Sequence, residues 1–452
     1  MSHHLPWPEE HDDPAHAPAP SMGELTKRLS PQIEALRGAE IICGVPCYNS
    51  EATLTHVVRS IETGLRRYFP NIRSGIVILD SGSTDRTVEV GLTASTSVDQ
   101  DLLLIPRTAP FPARASTSLE GTRGKGNALR PLFTLARAVG AKACATFDSD
   151  LRSIQPAWVE HLVGPVLSYG WDHVAPLYVR HRNDGTITNS IAYPLTASLY
   201  GTRIRQPIGG DFGFSGRLAS YWAEQDDVWT TEVARFGIDI WMTTSALARG
   251  DFRVCQARLG SKIHDAKDPG RHLGPMFRQV VGTLFELAGR YVDRWRDVDR
   301  IALPPIYGFP YTTGTDDVPV DRQGLLDKFA TGVREDDAVL RTALSADTLA
   351  GVRAAASLAS APAAFEFPIE LWIDAVYDLM IAVNAEAVAQ RDALNAMIGL
   401  YFARTASFVR EAAHDSQEEA DARIDSFPDL YLSRKDGLRR RWSAGVPAST
   451  LR

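Results

Sequence analysis

The sequence predicts an α/β protein: a mostly parallel sheet with helices on both faces, followed by a helical C-terminal region. Three observations predict it. Short, unbroken apolar runs alternate with helical patterns between residues 40 and 150. Two of these runs end in acid, at Asp80 and at Asp148. From about residue 275, apolar residues recur at three- and four-residue spacing, as in "MFRQVVGTLFELAGRYV" and "FPIELWIDAVYDLMIAVNAE". Strands buried on both faces read as continuous apolar runs, and parallel strands need crossover helices between them. In such sheets, ligands bind at the carboxyl ends of the strands, which is where Asp80 and Asp148 fall.

Along the chain, residues 24–37 have the pattern of a short amphipathic helix. A strand follows from Glu40 to Val45, Pro46 is expected to break it, and Asn49 or Ser50 to cap the next helix. "SGIVILDSGSTDRTVEV" repeats the pattern, with a strand at Ile76–Leu79, a turn at Asp80–Ser83 and a helix. "KACATFDSD" is a further strand ending in acid. Residues 171–265 read as short strands and Gly-rich loops. The stretch 303–322 carries four prolines and reads as a connection. The expected organisation is therefore a flexible tail (1–22), a catalytic domain (23–300), a linker (301–322) and a helical region (323–452). In that last region, Trp372, Tyr377, Met380 and Tyr401 sit in apolar company. One such face is expected to pack on the catalytic domain and a second on another subunit, giving a homodimer.

Composition narrows the function. A chain of 452 residues makes one large domain or two. Hydrophobic residues at 44% and charged residues at 23% are ordinary for a soluble globular protein. A net charge of −7 and a pI near 5.9 speak against a nucleic-acid binder, while leaving room for a local basic pocket. No apolar run reaches the roughly 18 residues of a membrane-spanning helix. Residues 1–22, rich in Pro, His and Asp, lack the apolar core of a signal peptide. Metal binding by His3, His4, His11 and His16 is the alternative to a plain tail. The four cysteines form no CxxC pair, which suits reduced core residues of a cytoplasmic protein.

The chemistry centres on "TFDSDL", residues 146–151. Two carboxylates one residue apart repel each other unless a cation lies between or beside them. The blander alternative is that "SDLRS" begins a helix and the acids cap it. Lys125 lies between glycines in "RGKGNAL"; they let backbone approach a ligand while the ammonium reaches a base or phosphate, or else this is a solvated loop lysine. Asp239 in "FGID" reads, from the residues alone, as an acid favoured by a helix N-terminus.

Four stretches in order, "VPCYNSEATL", "LDSGSTDRT", "RGKGNAL" and "FDSDL", resemble the nucleotide-diphospho-sugar glycosyltransferases of GT-A fold over the first 265 residues. "RQPIGGDF", "FGIDIW" and "KIH" narrow the resemblance to the retaining enzymes that make mannosylglycerate and, more distantly, to the glucosyl-3-phosphoglycerate synthases. The resemblance implies a divalent cation, Mg²⁺ or Mn²⁺, held by Asp150 and His264, with Asp148 towards the ribose. It implies that Asp80 and Ser81 receive the base and that the loop of Pro46, Tyr48, Ser50 and Glu51 closes over it. Ser50 stands where many members carry a ribose-binding Glu. Gly209 and Gly210 would lie close to the sugar. Asp211, where the family has Glu, and Asp239 would bind sugar hydroxyls or, for Asp239, take the acceptor's proton.

For the acceptor, Arg180, Asp184 and Thr188 match residues that hold glycerate in the mannosylglycerate enzymes. The phosphoglycerate enzymes have Arg at the position of Thr186. Polar residues on an ordinary loop are the alternative. The expected function is metal-dependent, retaining transfer of glucose or mannose from UDP-glucose or GDP-mannose to D-glycerate, making a compatible solute. Transfer to 3-phosphoglycerate is the alternative within the class. A nucleotidyltransferase is a reading of another class, but "VPCYNSE" lacks its Gly-rich basic loop. Against a non-catalytic sugar-nucleotide module stands the joint presence of Asp148, Asp150, Asp239 and His264.

Overall fold

A computed structural model describes residues 20–94, 108–118, 124–230, 232–263, 274–310, 314–315 and 318–446. His264 and the histidines of the N-terminal segment lie outside the described residues. The chain forms two compact units that interleave in sequence. The first comprises Met1–Val179, Ile208–Asp265 and Pro304–Thr315; the second comprises Arg180–Pro207, Ala266–Leu303 and Asp316–Arg452. The sequence reading placed residues 23–300 in one domain; here Arg180–Pro207 and Ala266–Leu303 group with the C-terminal helices.

The first unit holds the sheet. Its strands are β1 (Ile41–Cys47), β2 (Ser74–Asp80), β3 (Ala113–Ser118), β4 (Ala143–Thr146), β5 (His173–Val179), β6 (Gly213–Ser215), β7 (Val254–Ser261) and β8 (Ile306–Tyr307). The spatial order is β3-β2-β1-β4-β6-β5-β7-β8. All pairs are parallel except those of β6, which runs antiparallel to both β4 and β5. The predicted strands are present, with one correction: β1 runs through Pro46 to Cys47. Gly44 accepts a hydrogen bond from Phe147 N–H, so the even-numbered residues of β1 address β4. Pairing with β4 ends at Gly44, so the nitrogen of Pro46 faces no ladder partner and its missing N–H costs nothing. Ser50 stands at the cap of the helix Glu51–Tyr68 but makes no side-chain cap bond.

Alternation along the strands divides the core. Ile41, Cys43 and Val45 of β1, with Ile76 and Ile78 of β2, pack in one cluster with Leu54, Val58 and Ile61 of the helix Glu51–Tyr68 and with Trp158, Leu162 and Val163 of the helix Ala157–Tyr169. On the opposite face, Gly44 leaves room for Leu132 of the helix Lys125–Val139. There Phe133, Phe214, Trp222 and Trp241 stack edge to face or tilted, with centroids 5.1 to 6.5 Å apart. The stretch 171–265, read as strands and loops, also contains the helices Gly216–Ala223 and Gly237–Arg249. Residues 24–37 form two short helices, Met22–Arg28 and Ser30–Ala35, parted where Pro31 starts the second.

The second unit is helical, as expected for the C-terminal region. It includes a widened, π-type turn at Thr188–Ala192 leading into the helix Tyr193–Tyr200. The carbonyl of Ser190 in that turn accepts hydrogen bonds from Trp372 Nε1 at 2.8 Å and the Tyr431 hydroxyl at 3.0 Å. Trp372, Tyr377, Met380 and Tyr401 are all buried within the single chain, so none of them offers a face to a second subunit.

His173, at the start of β5, lies fully buried and stacked on Phe212 at 5.2 Å. Burial pushes its pKa down to about 3. The unfolded chain protonates it near pH 6.5, so between about 6.5 and about 3 the unfolded state binds a proton that the folded state refuses, and stability falls as pH falls. Urea midpoints measured from pH 7 to pH 4 should decline less steeply in His173→Phe than in the wild type. An equal slope in the two would show that His173 does not set it.

Candidate active site

Asp80, Asp148 and Asp150 lie at the carboxyl ends of β2 and β4, and Lys125 meets both Asp148 and Asp239. β4 ends at Thr146 and the chain turns through Asp148–Ser149–Asp150. The next helix begins only at Ala157, with Pro156 at its cap, so the acid pair caps no helix. The turn is held from behind by the helix Glu51–Tyr68 and its loop: Thr53 Oγ1 donates to Ser149 O at 2.7 Å, and Ser50 Oγ meets Ser149 Oγ at 2.9 Å.

The two acids have different surroundings. Asp148 is clamped by two buried ammonium groups. Lys125 Nζ lies 2.8 Å from its Oδ1 and Lys262 Nζ lies 2.6 Å from its Oδ2. Burial works to raise its pKa, but Lys125 and Lys262 outweigh burial and hold it well below the carboxylate range. Asp150 is half-buried, and among the described residues it has no ion-pair or hydrogen-bond partner. Of the two, Asp150 is therefore the acid whose oxygens suit a divalent cation, with His264, its expected partner, outside the described residues.

Lys125 begins the helix Lys125–Val139, where the helix dipole disfavours a cation. Burial disfavours it too, yet Asp148 and Asp239 raise its pKa above the usual lysine value. Asp239 Oδ2 accepts from its Nζ at 2.9 Å. The glycines beside Lys125 have a packing role. A Cβ at Gly126 would come 1.8 Å from Val233 O, and Gly126 N–H and Asn127 N–H donate to Arg235 O and Ala234 O. They let this helix start against the segment that leads into the helix Gly237–Arg249, and so set Lys125 opposite Asp239.

Asp239 lies in the first turn of that helix, fully within the core of the site, and burial raises its pKa, opposed by Lys125. Its Oδ1 is buried with no hydrogen-bond partner among the described residues. Asp211 is completely buried. Its Oδ1 accepts from the backbone N–H of Asp148 at 2.8 Å; its Oδ2 accepts from Lys262 Nζ at 2.9 Å and from the Tyr178 hydroxyl. Gly209 O also accepts from Lys262 Nζ, at 2.7 Å. Gly210 adopts φ +87°, and a Cβ there would lie 2.2 Å from Asp148 Oδ2, so this glycine makes space for the clamped carboxylate.

On the other side, Asp80 ends β2 and accepts the N–H groups of Gly82 and Ser83 at 3.0 and 3.1 Å. Ser81 Oγ accepts from Gly124 N–H at 2.9 Å. Pro46 is buried and Tyr48 half-buried. Ser50 N–H donates to Thr87 Oγ1, and Glu51, exposed, accepts from Arg86 N–H. Asp85, not singled out in the sequence, accepts from Glu51 N–H and from Thr87 N–H, lacing the two loops together.

In the second unit, Arg180, Asp184 and Thr188 come together. Arg180 Nη1 lies 3.4 Å from Asp184 Oδ2. Gly185, at φ +65°, sits between the Arg180 guanidinium and Thr188, 3.3 Å and 3.8 Å from where its Cβ would be. Arg182 is directed elsewhere, donating to Ala412 O and Asp415 O. The Thr186 hydroxyl is buried against the Tyr401 hydroxyl.

Sequence reasoning missed Lys262 and Tyr178. "KIH" was read for its histidine, and Tyr178 sits in an apolar strand. A lysine directly after a strand that ends beside an Asp–x–Asp turn was the available signal for Lys262.

Residues 43–221 match the family model described as glycosyl transferase family 2. The glucosyl-3-phosphoglycerate synthase of Mycolicibacterium smegmatis is 28% identical over 268 residues, spanning 56% of this chain and 80% of that protein. That of Mycobacterium tuberculosis is 27% identical over 290 residues, spanning 61% and 79%. A crystal structure of the M. tuberculosis protein with Mn²⁺, uridine diphosphate and glucosyl-3-phosphoglycerate covers 61% of this chain and 87% of its own, with 27% identity and a TM-score of 0.41.

Gly210→Ala should displace the Asp148 carboxylate and force a left-handed alanine, lowering kcat/KM by about tenfold or more. Unchanged kcat/KM in this variant would show that the position of Asp148 is not critical.

Proposed function

We propose, from the match of residues 43–221 to the glycosyl transferase family 2 model, that this chain is a retaining hexosyltransferase that moves glucose from a nucleoside diphosphate to the hydroxyl of D-glycerate. The observation that carries this reading is the unequal treatment of the two acids at the end of β4. Asp148 is fixed by Lys125 and Lys262, while Asp150 has no ion-pair or hydrogen-bond partner among the described residues and Asp239 Oδ1 is buried without a hydrogen-bond partner among them.

In this reading Asp80 and Ser81 receive the base, and the loop from Pro46 to Glu51 lies over it. Asp148 sits towards the ribose. Asp150, with His264, would hold Mg²⁺ or Mn²⁺, which when bound neutralises charge building on the leaving diphosphate. Asp239 Oδ1, lacking a donor, accepts a hydrogen bond from a sugar hydroxyl. Gly209 and Gly210 bring backbone near the sugar. The acceptor hydroxyl attacks the anomeric carbon on the face the diphosphate leaves, the bond to diphosphate breaks, and the proton passes to a leaving-group oxygen. Lys125 keeps Asp239 and Asp148 apart while this happens. The names of the relatives favour glucose over mannose, so UDP-glucose is the first donor to test and GDP-mannose the second. The protein would work in the cytoplasm, and a homodimer would use a face other than the buried aromatic residues of the helix Ile369–Asn384.

Arg180, Asp184 and Thr188 would hold the acceptor. Arg180 suits the carboxylate of glycerate, while Asp184 and Thr188 suit its hydroxyls. A phosphate near pH 7 carries close to two negative charges and calls for more than one cationic donor. Arg182 is committed to two carbonyls, and Asp184 stands within 3.4 Å of Arg180. The second reading, transfer to 3-phosphoglycerate, is favoured by the names of the curated relatives.

Excess EDTA, or Asp150→Ala, should abolish transfer; full activity in the chelator would overturn the metal-dependent reading. In steady-state kinetics at saturating UDP-glucose, D-glycerate should beat 3-phosphoglycerate by about tenfold or more in kcat/KM, the worth of one charge-assisted hydrogen bond. Arg180→Ala should weaken glycerate use while leaving donor KM little changed. A wild-type preference for the phosphorylated acceptor would select the second reading.

A further inference from the structure

The family resemblance assigns Asp211 to the sugar, yet in this chain it is completely buried and both of its oxygens already accept hydrogen bonds. Asp211 is fully buried and makes three contacts, two of them with Asp148 or its partner. One oxygen accepts the Asp148 backbone N–H at 2.8 Å. The other is shared by the Tyr178 hydroxyl and Lys262 Nζ. Lys262 in turn is 97% buried as a side chain, and its three N–H donors meet three acceptors: Asp148 Oδ2 at 2.6 Å, Gly209 O at 2.7 Å and Asp211 Oδ2 at 2.9 Å.

We infer that Lys262 and Asp211 form a positioning pair for Asp148: Asp211 fixes its backbone, Lys262 fixes its carboxylate, and neither touches the acceptor. The inference rests on the glycosyltransferase reading for its kinetic readout. Its physical basis is that Asp148 Oδ2 and Asp211 Oδ2 lie on either side of one ammonium. Without Lys262 these two carboxylate oxygens would face each other and repel, and Asp148 would leave its place over Gly210. The shorter reach of Asp, compared with the Glu expected at this position, is what allows the acid to stay folded against the Asp148 backbone. Lys262 then spans the gap between the turn after β4 and the loop of Gly209–Asp211, with its stem anchored directly after β7 and its ammonium 5.2 Å from the Tyr178 ring.

The test is a double-mutant cycle of Lys262→Met and Asp211→Asn, read as kcat, donor KM and acceptor KM, with calorimetric titration of UDP in the presence of Mn²⁺. Each single variant should lose about tenfold or more in kcat and bind UDP–Mn²⁺ more weakly, with acceptor KM held within about twofold. The double variant should fall within about threefold of the worse single variant, because both act through one carboxylate. Losses that multiply, or an acceptor KM that rises in Asp211→Asn while Lys262→Met keeps its kcat, would overturn the inference and return Asp211 to the sugar. If Lys262→Met does not fold, Lys262→Arg serves: lowered kcat at unchanged acceptor KM supports the pair, and raised acceptor KM at unchanged kcat sinks it. Failure of the wild type to transfer to any acceptor would instead count against the glycosyltransferase reading, and the UDP–Mn²⁺ titration would still decide the role of Lys262.

Discussion

The ion-paired cluster around Asp148 is the constraint on which the site depends. An isolated buried charge costs several kcal/mol, and here four buried charged side chains, Lys125, Lys262, Asp211 and Asp239, surround the half-buried Asp148. Each ammonium bridges two carboxylates, so removing Lys125 strands Asp239 and removing Lys262 strands Asp211 without a cationic partner. Three carboxylates against two ammonium groups leave one excess negative charge in the cluster, and Asp150 adds another at its rim. That balance suits a place where a cation accompanies a diphosphate.

Much of the first unit's local structure serves to make this cluster possible. The N-terminus of the helix Lys125–Val139 is an unfavourable place for a lysine, and Gly126 brings it hard against residues 233–235, so that Lys125 meets Asp239 across one hydrogen bond. Gly210, in a left-handed conformation, yields the volume that the Asp148 carboxylate fills. The antiparallel β6 sits between β4 and β5, and the loop that leads into it carries Gly209, Gly210 and Asp211. A parallel strand in that slot would enter from the opposite end of the sheet, and the loop would lie far from the Asp148 turn.

The second unit organises the proposed acceptor residues by its own means. The π-type turn at Thr188–Ala192 exposes the Ser190 carbonyl, and Trp372 and Tyr431 satisfy it. Such turns recur at functional sites because they offset the side chains that follow. The C-terminal helices therefore fix the geometry of Arg180, Asp184 and Thr188 even though they contribute no acceptor-binding residue to the proposal. Arg182 and Thr186, close neighbours in the same stretch, are spent on Ala412, Asp415 and Tyr401.

The sequence by itself determined the alternation of strand and helix, the acids at strand ends and the helical character of the C-terminal region. These follow from periodicity and from short runs such as "GIVILD" and "ACATFDSD", whose physics is local. It also marked Asp148, Asp150, Lys125 and Asp239, because each stands at an element terminus. What only the tertiary structure decided is how those charges are shared. That Asp148 is clamped while Asp150 is not, that Asp211 turns inward, and that Lys262 belongs to the site all depend on which strand lies beside β4 and on distances between residues 51 to 114 positions apart in the chain. The same holds for Pro46, tolerated in β1 only because β4 stops at Thr146. Ion pairing and close packing act across the fold, so a pattern along the chain names the participants without naming their partners.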